Sequence, residues 1–261
     1  MEVVITDSSH EVGRTGADVV AALVVRRPDA TLGLATGSSP VGVYDQLGAR
    51  CDSGTLTLSE ARGFLLDEYV GLPVDHAQRY RNVIQQDFVA KVDIDPSNVS
   101  SPDGAAADLP AACAAYEAAI EQGGGIDLQV LGLGADGHIG FNEPGSSLAS
   151  RTRIKTLTRQ TRQDNARFFG DDLDAVPHHC ITQGVGTIMQ ARHLLMVVEG
   201  ERKSAAVRQM IEGPVTARWP ASALQLHPHV TVVLDPGAAA ELELADYYRD
   251  VYAGKPTWQH W

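Results

Sequence analysis

Three ionisable side chains, Asp136, His138 and Glu143, fall within eight residues of the stretch Gly132–Pro144, GLGADGHIGFNEP. Imidazole exchanges a proton near neutral pH, and a carboxylate two residues away can orient it. A second carboxylate can tune its proton affinity. The spacing therefore suits acid–base chemistry, with a loop hydrogen-bond cluster or a metal site as the alternatives. Metal is disfavoured, because neither HExxH nor a Cys/His cluster is present. Gly132, Gly134 and Gly137 also spell GxGxxG, the dinucleotide pattern. Gly140, Pro144 and Gly145 interrupt any helix that would follow, and about twenty residues on the chain reads RTRIKTLTR, with no acid for a ribose. The dinucleotide reading is rejected on those grounds.

Other stretches carry chemistry of their own. Asp67-Glu68-Tyr69 ends an apolar run. An acid there is either a solvated strand end or a base facing the crevice in which open α/β sheets bind ligands. Thr36-Gly37-Ser38-Ser39 lies between a strand pattern and a helix start. It suits a phosphate or a simple N-cap turn equally well, and it is not a Walker A loop. Arg151, Arg153, Lys155, Arg159, Arg162 and Arg167 form a basic run with Asp164 as its one acid. In an acidic chain that reversal points to a phosphate-facing role, with a solvated face as the alternative. Lys203 is a candidate further phosphate contact or an ordinary surface lysine. His178-His179 reads as a surface pair.

Periodicity supplies elements to position these groups. Strands are expected at Val3–Thr6, Thr31–Ala35, Gly63–Leu66, Leu128–Leu131, His193–Val198 and Val230–Leu234, with an edge strand at Arg151–Leu157. Helices are expected at Ser9–Arg27, from Pro40 to about Arg50, near Tyr80–Ala90, at Leu109–Gln122, Arg159–Phe169, Thr182–Gln190 and Glu201–Glu212, with a helical turn at Ala221–Leu224. Asp93–Asp108 reads as a long surface connection and Ala253–Trp261 as a tail. Alternating strands and helices predict an α/β fold: a mainly parallel open sheet with helices on both faces, Rossmann-like, as one domain over residues 1–261.

Composition sets the outer limits. Hydrophobic residues make up 44% and charged residues 21% of 261 residues, an ordinary globular balance. The net charge of -12 argues against a nucleic-acid partner but leaves room for a local basic pocket. Cys51, Cys113 and Cys180 lack CxxC spacing and read as buried free thiols. The start MEVVITDSSHEVG is unlike a signal peptide, and no apolar run approaches membrane-spanning length. A cytoplasmic protein without a membrane partner is the expectation.

LATGSSPVGVYDQL, LDEYVGLP, LGLGADGHIGFNEPGSSLASRTRIKTLT, ITQGVGTI and LQLHPHVTVVLD together resemble the glucosamine-6-phosphate deaminase (glucosamine-6-phosphate isomerase) family through nearly the whole chain. The related 6-phosphogluconolactonases share the fold and a similar Asp-Gly-His loop, but not usually DEYVGLP or HIGFNEPGSSLASRTR. The resemblance implies a hydrolase/isomerase of amino sugar and N-acetylglucosamine catabolism, with neither redox cofactor nor catalytic metal. Its substrate would be glucosamine 6-phosphate, and its products fructose 6-phosphate and ammonia. It implies that His138 promotes ring opening, Asp136 and Glu143 set its orientation and protonation, and Asp67 moves a proton from C2 toward C1. It assigns the phosphate grip to Thr36, Gly37, Ser38, Arg167 and Lys203. It further implies a homohexamer and an allosteric site for N-acetylglucosamine 6-phosphate at Ser146, Arg153, Lys155 and Thr156. Two departures weaken the regulatory part. Gly123 stands where an allosteric member can carry a tyrosine, and the tail GKPTWQHW leaves a tyrosine contact unassigned among Tyr247, Tyr248 and Tyr252. The rival readings are a lactonase-like hydrolase and a non-catalytic sugar-phosphate sensor.

Overall fold

A computed structural model describes residues 1–256, 258–259 and 261. Thr257 and His260, within the predicted tail, lie outside the described residues. In chain order the elements are β1 (Glu2–Ile5), α1 (Ser9–Arg26), β2 (Thr31–Leu34), α2 (Ser38–Asp52), β3 (Arg62–Leu65), β4 (Asp67–Tyr69) and α3 (Tyr80–Asp87). There follow β5 (Val99–Ser100), α4 (Leu109–Gln122), β6 (Leu128–Leu131), β7 (Arg153–Thr156), α5 (Arg159–Ala166) and β8 (His179–Thr182). The chain ends with α6 (Val185–Ile188), β9 (His193–Val198), α7 (Ser204–Ile211), β10 (Val230–Leu234) and α8 (Ala245–Ala253).

The local chemistry of the helix starts is ordinary. Ser8 caps α1 by accepting from the Glu11 N–H at 3.3 Å, and Asp108 caps α4 by accepting from the Ala111 N–H at 3.0 Å. Gly124, at φ 88°, lets the chain turn away after α4.

β1-β10-β9-β6-β2-β3-β5 form a seven-stranded sheet whose pairs are all parallel. Its strands are apolar on both faces because both faces are covered. Leu194, Met196 and Val198 of β9 join one core with Tyr116 and Ile120 of α4 and Val207 and Met210 of α7. The alternating residues Leu195 and Val197 join the other, with Val12 and Val20 of α1 and Val43 and Leu47 of α2. Each such side chain, fully buried, is worth roughly 1.5–3 kcal/mol. The predicted parallel sheet with helices on both faces is therefore present.

A second, three-stranded antiparallel sheet, β4-β8-β7, is grafted beside it. The predicted edge strand is its β7. Its middle strand was not expected. Thr182 ends β8 (His179–Thr182) instead of starting the expected helix over Thr182–Gln190, of which only α6 (Val185–Ile188) is helical. Cys180 and Ile181 are fully buried β formers, and pairing on both sides overrides any helical pattern there. Two further differences are local. β5 adds an edge strand within the expected surface connection, and α8 was missed because none of its residues is buried. Cys113 and Cys180 are buried, whereas Cys51 is only half-buried; all three are free. Among the described residues no helix is long and apolar enough to cross a membrane.

One buried titratable group lies at the opposite, amino end of the sheet. His193 is stacked on His229 with ring centroids 3.6 Å apart, and its Nε2 meets the Thr231 hydroxyl at 2.9 Å. Burial, then the neighbouring His229 and His227, depresses its pKa from the usual 6.5 to about 3. The unfolded chain takes up that proton at a pH where the folded chain does not. The contribution of His193 to stability is therefore full above about pH 6.5 and declines as pH falls toward 3. Measured against His193→Gln at each pH, the parent's urea midpoint is expected to stand lower at about pH 5 than at about pH 7.5. A difference between parent and variant that is the same at both pH values would place the His193 pKa near its ordinary value.

Candidate active site

The candidate side chains come from the carboxyl ends of four neighbouring strands, β9, β6, β2 and β3. β9 leads to Lys203, β6 to the loop with Asp136, His138 and Glu143, β2 to Thr36-Gly37-Ser38, and β3 through Leu66 to Asp67. β6 and β2 are adjacent, and the chain order reverses between them, which is where open α/β sheets place a ligand crevice.

In the loop after β6, the His138 Nδ1 lies 2.7 Å from Asp136 Oδ1 and 3.9 Å from Glu143 Oε2. The His138 backbone N–H also donates to Asp136 Oδ1, at 3.2 Å. Asp136 thereby holds the loop backbone by a hydrogen bond and lies at ion-pair distance from the ring, whose Nδ1 has no partner at hydrogen-bonding angle; a proton on Nδ1 would leave Nε2 as the acceptor nitrogen. Burial disfavours the charged ring, but the hydrogen bond and charge of Asp136, with Glu143, outweigh it and raise the His138 pKa. Burial likewise opposes ionisation of Asp136, yet His138 holds it well below the usual carboxylate range. Glu143 is buried, and burial raises its pKa despite a hydrogen bond from the Thr161 hydroxyl. The ring packs against Gly134: a Cβ there would lie 2.2 Å from His138 Cε1 and would displace the imidazole.

The ligand atoms of Asp136, His138 and Glu143 lie within 4.8 Å of one another, so the cluster also has the donors of a cation site. His138 Nδ1 lies 2.7 Å from Asp136 Oδ1, and a metal there would bind only a ring nitrogen free of its proton.

Asp67 is not a solvated strand end. It opens β4, is 5% exposed, and faces the loop: a Cβ built on Gly140 would meet Asp67 Oδ2 at 3.4 Å. Burial, reinforced by the charge of Glu68 and partly offset by His138, pushes its pKa up to about 8. Alternation along β4 puts Tyr69 on the same face, where its ring meets Phe141 and Tyr80. Glu68 points the other way and is fully buried. Its carboxylate accepts from the N–H groups of Tyr69, Tyr80 and Arg81 at 2.8, 2.8 and 3.0 Å, anchoring the start of α3.

Gly37 is the N-cap of α2 at φ 109°, a conformation that favours glycine. No side chain caps this 15-residue helix, so its first N–H groups remain available to an anion. Lys203 is held where burial lowers its pKa; Glu199 and Asp235 oppose that shift and Arg167 adds to it. Two cations gathered in this way, supported by carboxylates, suit an anionic ligand.

The rest of the basic run does not form one phosphate-facing surface. Arg162 is buried and donates to the Val176 and Leu173 carbonyls at 3.2 and 2.5 Å, and Arg151 is paired with Glu117. Arg167 is exposed, its guanidinium 4.6 Å from the Phe168 ring centroid. Arg153 and Lys155 share one face of β7, Thr156 is exposed, and Ser146 is buried with its hydroxyl unpartnered. His178 and His179 are exposed, as expected of a surface pair. Sequence reasoning left Glu68 undistinguished from Asp67 and missed Thr161 and Thr182; Thr158, N-cap of α5, offered a local signal for Thr161 alone.

The fold and this arrangement are those of the family described as glucosamine-6-phosphate isomerases/6-phosphogluconolactonase, to which the chain belongs; that family's model matches residues 6–233. Within it the chain is similar to the deaminases. It is 63% identical over 259 residues to glucosamine-6-phosphate deaminase of Mycolicibacterium smegmatis and 59% identical to that of Beutenbergia cavernae, covering 99% of this chain and of each relative. A solved structure of a monomeric glucosamine-6-phosphate deaminase is 41% identical, with a TM-score of 0.89 over 92% of this chain and 99% of that one. The 6-phosphogluconolactonase of Trypanosoma cruzi, 21% identical with a TM-score of 0.75 over 93% of this chain and 97% of that one, shares the fold.

Burial of Asp67 has a consequence for stability. The folded chain keeps this proton up to about pH 8, whereas the unfolded chain releases it near 3.8, so Asp67 costs stability increasingly as pH rises through that window. Asp67→Asn should melt above the parent, by a margin that widens from about pH 5 to about pH 8. A margin independent of pH would place the Asp67 pKa near its ordinary value.

Proposed function

We propose that the chain converts glucosamine 6-phosphate and water to fructose 6-phosphate and ammonia. The observation that carries this reading is the buried Asp67 carboxyl facing a loop whose imidazole is held by Asp136, in a chain 63% identical to a deaminase. Ring opening needs a group that takes a proton from the anomeric hydroxyl and returns one to the ring oxygen. His138 has an imidazole for both steps: Nε2 accepts when only Nδ1 carries a proton, and the neighbouring Asp136 raises the ring's affinity for the second proton. Asp136 and Glu143 set its tautomer and charge. Proton transfer from C2 toward C1, through an enolamine, needs a base with a raised pKa, and Asp67 matches that demand. Hydrolysis of the resulting imine releases ammonia. The uncapped start of α2 at Thr36, Gly37 and Ser38, with Arg167 and Lys203, grips the phosphate. No cofactor or metal enters the scheme.

Arg153, Lys155, Thr156 and Ser146 form the proposed effector site for N-acetylglucosamine 6-phosphate. Two cations on one face of an edge strand, and a buried hydroxyl without a partner, favour an anionic, hydroxylated ligand. The protein is proposed to act in the cytoplasm, in amino sugar catabolism, and to assemble as a homo-oligomer, a hexamer by resemblance. The monomeric relative at 41% identity makes the monomer the competing state.

The purified chain, assayed with EDTA throughout, should release ammonia and fructose 6-phosphate in equal amounts from glucosamine 6-phosphate. Turnover of 6-phosphogluconolactone instead would move it to the lactonases, and loss of activity to EDTA with recovery on adding a divalent ion would assign a metal. Arg153→Ala combined with Lys155→Ala should abolish the response to N-acetylglucosamine 6-phosphate and spare basal turnover. The molar mass in solution, with and without effector, counts the subunits; an undiminished response in the double variant would refute the mapping.

A further inference from the structure

We propose that Thr182 is a positioning residue of this reaction, locking the catalytic loop to the strand that carries Asp67; the proposal rests on the deaminase reading above. Thr182 ends β8, the middle strand of the small sheet, and is fully buried. Its register partner on one side is Asp67 itself, and on the other Arg153. Its hydroxyl works in both directions. The Oγ1 accepts from the Phe141 N–H at 3.1 Å and donates to the Gln183 carbonyl at 3.1 Å. Phe141 lies in the loop between His138 and Glu143, so one side chain joins that loop to the strand paired with Asp67.

The steric record around Gly140 agrees. A Cβ placed there would lie 2.8 Å from Thr182 Oγ1 and 3.4 Å from Asp67 Oδ2. The loop backbone, the threonine hydroxyl and the Asp67 carboxylate therefore crowd one point, and Gly140, at φ 55°, is what lets the loop come so close. A second bond runs in parallel: Asn142 Nδ2 donates to the Gln183 carbonyl at 2.8 Å. That contact lets the loop stay attached when the hydroxyl is removed, so loss of Thr182 is expected to loosen geometry rather than unfold the site. A buried Phe141 N–H left unpaired would pull the loop toward another acceptor and change the gap between His138 and Asp67. The proposed phosphate grip stands elsewhere: Thr36, Gly37 and Ser38 follow β2, Lys203 follows β9 and Arg167 follows α5.

The test compares parent, Thr182→Val and Thr182→Ser. Valine keeps the branched shape and strand preference and deletes the hydroxyl; serine restores it. Thr182→Val is expected to lose about ten-fold or more in kcat, with KM for glucosamine 6-phosphate changed by less than about two-fold, and Thr182→Ser to recover most of the loss. The acid limb of the kcat profile should also move in Thr182→Val, because the surroundings of Asp67 change with the loop. A folded Thr182→Val with parental kcat and pH profile overturns the positioning role while leaving the deaminase reading intact. A fall in Thr182→Val that serine does not reverse also overturns it, because the hydroxyl is then not the cause. A parent without turnover overturns the deaminase reading, and this role with it.

Discussion

A carboxyl group that is to act as a base near neutrality must be stripped of water and still face a polar ligand. Asp67 meets both conditions because two sheets end at the same place. The parallel sheet delivers the chain at Leu66, and within one residue the backbone joins the antiparallel sheet as β4. Burial raises the carboxyl to about pKa 8, and the nearby His138 keeps it from rising further. The loop after β6 closes over it only because Gly140 has no side chain. Moving either sheet would rehydrate the group or remove its partner.

Neighbouring charges are sorted by what they bond. Glu68 is adjacent to Asp67 in sequence and even more deeply buried, yet its carboxylate accepts from three backbone N–H groups and serves architecture. Asp67 has no such anchors among the described contacts, and its proton remains available. The same division separates Arg162, spent on backbone carbonyls, from Arg167, which stays exposed. Each pair shares a charge sign; hydrogen-bond satisfaction divides the groups committed to structure from those left available.

Thr182 joins these elements in a further way. Strand register sets Arg153 and Asp67 on opposite sides of it, so the proposed anion-binding strand and the proposed base are two neighbours of one buried residue.

Much of this was legible in the chain. Apolar runs such as HLLMVV and VTVVL have one stable placement, between two layers of helices, and so determine the parallel sheet. The loop GLGADGHIGFNEP carries its own local constraint, since Asp136 and His138 are close enough in sequence to find each other. β8, α8 and the division of the basic run were not legible. A four-residue strand takes its conformation from the partners on either side, and those come from residues far away in sequence. Whether Asp67 was solvated or buried, and which arginine was free, depended likewise on contacts between distant segments. Local composition determined the elements and the reactive residue types; only the tertiary structure decided the protonation of Asp67, because desolvation belongs to the packed assembly and to no single stretch of chain.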